Sequence, residues 1–128
     1  MIEKWLDEGL ELARAGRYFD AHEAFELAWR SAGDDERDFF QGLVHVVVAW
    51  YQDQRGNRTG FERQLVKARR RLGPYAPAHR SVDVASLLDQ VERARFGALA
   101  PLDLSEPERV EDPTQPDVEP PLAVEEEE

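Results

Sequence analysis

Residues 39–51 read Phe39-Phe-Gln-Gly-Leu-Val-His-Val-Val-Val-Ala-Trp-Tyr51, and this stretch decides the fold. Gln41 and His45 are its only strongly polar side chains. A half-buried strand would alternate apolar and polar residues. This run is apolar around the whole helical circumference, the pattern of a helix at the centre of a bundle. It is also shorter than the ~20 apolar residues that cross a bilayer. Asp34 or Asp35 offers a cap before it and Gly56-Asn57 a stop after it, which predicts a third helix over 36–55.

Working outward, apolar residues keep helical spacing on both sides. A first helix over 2–15 carries Ile2, Trp5, Leu6, Leu10 and Ala13 on one stripe and closes at Gly16. A second, over 19–32, carries Ala21, Phe25 and Ala28 and ends at Gly33. A fourth, over 60–72, carries Phe61, Leu65, Ala68 and Leu72, with Thr59 and Glu62 in capping-box spacing. The loop Gly73-Pro-Tyr-Ala-Pro-Ala-His-Arg80 leads to a fifth helix over 84–97, capped by Ser81 or Asp83. Short connections predict antiparallel neighbours, so the expected fold is all-α, a compact bundle of about five antiparallel helices. Gly16, Ala21, Phe25 and Ala28 are echoed forty residues later by Gly56, Phe61, Leu65 and Ala68. The first unit also resembles a tetratricopeptide repeat, but the offset differs from that family's thirty-four, so we read the echo as shared hairpin physics.

Charge divides the chain. Its 128 residues carry a net −11, yet residues 101–128 hold eleven acids against Arg109 alone. Residues 1–100 hold sixteen acids and fifteen bases. Six of the eight prolines also lie beyond residue 100. Such a composition cannot offset its ordering entropy by burial. The expected organisation is therefore a helical domain over 1–98 and a disordered acidic tail over 99–128, dispensable for folding. Arg55 to Arg80 is basic, with eight bases against Glu62. No aromatic residue interleaves with its densest bases, Arg63 to Arg71, as a stacking platform, so nucleic acid is not the expected partner. The absence of cysteine excludes disulfides and thiolate metal sites. The acidic start MIEKWLDEGL is unlike a secretory signal, and the expected location is cytoplasmic, with no membrane partner.

Candidate chemistry lies in Tyr18-Phe-Asp-Ala-His22-Glu-Ala-Phe-Glu26-Leu-Ala-Trp29. His22, Glu26 and Trp29 stand at i, i+4 and i+7, on one helix face. Gln41 and His45 repeat the i, i+4 spacing on the third helix. Polar groups in a buried helix need partners, and the second helix is the nearest supply. We therefore expect His22, Glu26, Gln41 and His45 to converge, shielded from bulk water, with Trp29 as one wall. No phosphate-binding glycine loop or nucleophile elbow is present. His79, in its Pro-flanked loop, is read as solvated.

His22-x-x-x-Glu26-x-x-Trp29, followed by Phe40-Gln-Gly42, the Gly73-x-Tyr75-x-x-Ala78-His79 loop and Val82-Asp83-Val84, resembles the uncharacterised bacterial and archaeal domain-of-unknown-function family 309. The resemblance covers residues 2–97. It implies a small all-helical domain marked by an HxxxExxW motif and points to His22, Glu26 and Trp29, but supplies no activity.

Three roles compete for the cluster. A satisfied polar network would fix how the second and third helices pack. A divalent metal could be held by His22, Glu26 and His45, since bundles host such sites. A pocket walled by Trp29, and by Trp50 or Tyr51, could hold a small ligand. The sequence favours a small cytosolic binding or adaptor domain without catalysis or cofactor, its partner a protein or small molecule. The alternative is a metal-binding protein or metal-dependent hydrolase.

Overall fold

A computed structural model of the protein describes residues 1–97 and 100–104. Five α-helices follow in order: α1 (Ile2–Arg14), α2 (Tyr18–Ser31), α3 (Arg37–Gln54), α4 (Arg58–Leu72) and α5 (Val84–Arg95). A 3₁₀ turn over Gly73–Tyr75 extends α4. Among the described residues there are no strands, only an isolated bridge between His79 and Val82. The all-α bundle read from the sequence is the observed fold, with each helix end within two residues of its expected place. No helix is long and apolar enough to cross a membrane among the described residues.

The architecture is two helical hairpins side by side. α1 packs on α2 and α3 on α4, while α2 and α3 join the hairpins. Both hairpin turns are built alike. Gly16 and Gly56 adopt φ values of +78° and +75°, which glycine tolerates without a Cβ clash. Arg17 N–H donates to the Leu12 carbonyl and Gly16 N–H to that of Ala13. Forty residues on, Asn57 N–H donates to Gln52 and Gly56 N–H to Asp53. Each is a Schellman closure that satisfies the orphan carbonyls of the helix end. The matched stripes Ala21, Phe25, Ala28 and Phe61, Leu65, Ala68 are all at most 1% exposed.

α3 is the centre, as its sequence required: Phe39, Phe40, Leu43, Val46, Val47 and Ala49 are at most 1% exposed. Gly42 lets α4 come close, because a Cβ there would lie 2.5 Å from Leu72 Cγ. Two cap assignments differ from expectation. α4 starts at Arg58, one residue before Thr59, and Asn57 Oδ1 accepts from Gly60 N–H instead. α3 is preceded by Glu36, with no side-chain cap bond. Asp83 does cap α5, accepting from Ser86 N–H.

Residues 100–104 also differ from the expected boundary. They run as an extended strap across the bundle, with Leu102 and Leu104 buried at 6% and 7% exposure. Two leucines at alternate positions can face one surface, and the neighbouring Pro101 and Asp103 face outward. The packed chain therefore reaches Leu104, past residue 98. The rest of the segment expected to be a disordered tail lies outside the described residues.

Candidate functional site

The expected convergence resolves into two separate pairs. On α2, His22 Nε2 lies 3.2 Å from Glu26 Oε2, and His22 Nδ1 lies 3.3 Å from the Phe19 carbonyl. Both neighbours are acceptors, so a neutral ring donates to one of them at a time. The pair is not shielded as expected, because the Glu26 side chain is 40% exposed and His22 22%. The reason is geometric. α2 turns its Ala21/Phe25/Ala28 stripe inward, which leaves the adjacent His22/Glu26 stripe at the margin of the contact with α3.

On α3, His45 is 9% exposed and uses both ring nitrogens. Its Nδ1 lies 2.7 Å from Gln64 Oε1 on α4, and Gln41 Nε2 lies 3.5 Å from its Nε2. The amide oxygen of Gln64 must accept, so Nδ1 carries the proton and Nε2 accepts from Gln41. Burial holds the His45 pKa below the ordinary histidine value, and the charges of Lys67, Arg71 and Arg70 push the same way. The bond to Gln64 opposes them. His45 thus bridges α3 and α4, not α3 and α2. Gln64 escaped the sequence reading although its position, between Phe61 and Leu65 and four before Ala68, put it at the edge of the buried stripe.

Among the described residues no hydrogen bond or ion pair joins His22 or Glu26 to Gln41 or His45. No group of three or more His, Cys, Asp or Glu side chains there is arranged to hold a metal ion. The set His22, Glu26 and His45 is therefore not brought together as a metal site. Trp29 lies elsewhere too, under the Arg37 guanidinium, whose carbon is 4.7 Å from the ring centroid.

His22 instead lines a half-open hollow of about 160 Å³ with Phe19, Val48, Tyr51 and Gln52. The Phe19 ring lies 5.3 Å from both the His22 and Tyr51 rings and remains 47% exposed. α2 supplies one wall and α3 the other. Tyr51 lines the hollow, whereas Trp50 is buried.

A second cluster was missed. His79, read as solvated, lies 2.7 Å from Glu36 Oε2. Arg80 grips the same carboxylate with two nitrogens, at 2.5 and 2.9 Å. The His79 ring packs edge-on against Phe39 and Tyr75, and Tyr75 Oη donates to the Asp35 carbonyl at 2.7 Å. The Arg80 hydrogen bonds, assisted by His79, hold the Glu36 carboxyl down at about 2 against the desolvation that opposes them. Arg80 and Ser81 take φ of 49° and 63°, unusual for residues with a Cβ, so the cluster holds a strained turn in place. The only sequence signal was a His-Arg pair in a stiff loop opposite the acidic run Asp34-Asp35-Glu36.

Half of the eight bases in the basic stretch are likewise ion-paired within the domain. Arg58 pairs with Glu62, Arg69 with Glu92, Arg71 with Asp38 and Arg80 with Glu36.

The protein is, by fold, an all-helical domain of paired hairpins with a small hollow between its second and third helices. Residues 6–64 match the model of the family described as a domain of unknown function (DUF309), and over that segment the chain is similar to it. The matched segment includes α2, α3 and the hollow, and ends inside α4. No curated protein and no solved structure matches the chain.

Proposed function

We propose that the protein is a non-catalytic binding module whose hollow between α2 and α3 takes a flat apolar group with a hydrogen-bonding edge. The observation that carries this is an exposed aromatic, Phe19, at the mouth of a hollow of about 160 Å³. That volume is close to the ~150 Å³ that accommodates a benzene-sized ring. Phe19, Tyr51 and Val48 supply apolar and aromatic surface, and His22 and Gln52 supply polar handles. Few polar groups in an apolar hollow is the usual make-up of a small-ligand site. The non-catalytic reading rests on His22, whose contacts are the Phe19 carbonyl and the Glu26 carboxylate.

Phenol and indole are suitable probes for a nuclear magnetic resonance titration. Saturable shifts confined to residues around Phe19, His22 and Tyr51, and weakened in Tyr51→Ala, are the expected result. Shifts that do not saturate, or that map elsewhere, overturn the proposal. A stoichiometric first-row metal retained through purification and lost in His22→Ala would favour metal binding instead.

A further inference from the structure

The strap over residues 100–104 is held in an unusual way. Its backbone is bonded almost entirely by side chains, and these come from four helices. Trp50 Nε1 donates to the Ala100 carbonyl at 2.9 Å. Leu102 N–H points to Tyr18 Oη at 3.5 Å. Gln90 takes both groups of Asp103, accepting from its N–H and donating to its carbonyl, each at 2.8 Å. Arg14 donates to the Leu104 carbonyl through Nε at 3.2 Å and Nη2 at 2.9 Å. Leu102 and Leu104 go inward and the residues between and before them go outward.

Extended peptides are recognised by such means: main-chain hydrogen bonds supply affinity and pockets for alternate side chains supply selectivity. A site of this kind reads leucine at two alternate positions. We infer that the surface made by Arg14, Tyr18, Trp50 and Gln90 is a linear-peptide binding site, occupied in cis by the protein's own Pro-Leu-Asp-Leu segment, and that its trans ligand is a partner protein's extended segment of the form basic-x-Leu-x-Leu.

Two observations favour a partner over a second copy. The strap follows α5 after residues 96–99 only, so its own copy is present at a very high effective concentration. An identical segment from another chain has no contact to offset that advantage. The strap also leaves an open hollow of about 290 Å³ beside Ala100 and Pro101, rimmed by Tyr18, Trp50, Asp53 and Gln54. A ligand with a long basic side chain in place of Ala100 would fill that hollow and meet the Asp53 carboxylate. The site is separate from the hollow beside Phe19 and stands whether or not the latter binds a ligand.

The test uses the full chain and a fluorescein-labelled synthetic peptide, Leu-Arg-Pro-Leu-Asp-Leu-Ser, followed by anisotropy. A control peptide carries serine at both inward leucines. The Leu102→Ser/Leu104→Ser protein empties the site in cis, so it should bind the peptide at least ~10-fold more tightly than the wild type. The control should bind neither protein. A double variant that keeps its helical circular dichroism and cooperative melting yet fails to bind overturns the proposal. Equal binding of the control overturns it too, as does wild-type dimerisation with no peptide binding, which would seat a second copy there. Should the variant lose its fold, amide exchange in the wild type decides. Strap amides of Leu102 and Asp103 that open while α3 amides stay protected support a displaceable strap. Exchange of both only through global unfolding makes the strap part of the core and rules the inference out.

Discussion

Glu36 and Glu26 show how two carboxylates in one small domain come to differ. Glu36 is 16% exposed in its side chain and gripped by Arg80 and His79, whereas Glu26 is 40% exposed beside His22 alone. The Glu36 carboxyl, at about 2 in the folded chain, lies below its ordinary 4.5. Its contribution to stability is therefore complete above about pH 4.5 and lost as the pH falls towards 2. Urea unfolding of Glu36→Gln at pH 7 should show a loss on the order of 2–3 kcal/mol, and the acid limb of its pH profile should flatten in that window. A parallel loss of stability from pH 5 to 3 in both proteins would contradict the assignment. The His22–Glu26 pair should behave as a surface pair. A double-mutant cycle of His22→Ala and Glu26→Gln should give a coupling of no more than ~1 kcal/mol, unaffected by chelator. That is less than the sequence suggested. The i, i+4 spacing made the contact legible, but which neighbouring stripe of α2 faced the core depended on small alanines packing against α3. Gln64 and His79 stayed hidden because their partners are 19 and 43 residues away in the chain.

At the scale of the element, the helices were legible almost throughout. Period and breakers are local properties: the all-round apolar run of α3 and the glycines at 16 and 56 announce a buried helix and two turns without help from the rest of the chain. Caps were less so, because Asn57 and Thr59 are both good candidates and only the direction of the incoming chain chooses between them. Close approach was not legible at all. An isolated glycine inside a helix reads as a weakness, and Gly42→Ala would ordinarily add up to ~1 kcal/mol of helix stability. Here the new methyl would meet Leu72 Cγ and the Leu72 backbone N–H behind it, at 2.5 and 3.4 Å. Overpacking of this kind costs ~1–3 kcal/mol. Gly42→Ala should therefore lower the melting temperature, and should cost less in a Leu72→Ala background than in the wild type. An unchanged or raised melting temperature would show that α4 can shift outward freely.

For the whole molecule, the boundary between body and tail was read from composition, and composition does not see two leucines among prolines and acids. Deleting residues 105–128 removes ten acids and one base and none of the described contacts. It should leave helical circular dichroism and cooperative melting nearly unchanged. Deleting from residue 100 also removes two buried leucines, worth roughly 3–6 kcal/mol, and backbone bonds worth about 1 kcal/mol each. Against these stands the ordering of five residues, at about 1–2 kcal/mol apiece. The sums nearly cancel, so the shorter chain should still fold, with a melting temperature only modestly lower. Unfolding of that variant at room temperature would mean that the strap holds the hairpins together. The strap also sets an order in time. Its bond from Arg14 to Leu104 spans 90 residues, whereas each hairpin closes through neighbours. Contacts so distant in the chain form after local ones, because long loops are slow to close. During synthesis the helices emerge first, and the surface under the strap stands uncovered until residue 104 follows. In refolding, Trp50, whose indole meets the Ala100 carbonyl, should register a fluorescence phase that trails the recovery of helix, and that lag should vanish when the strap is deleted.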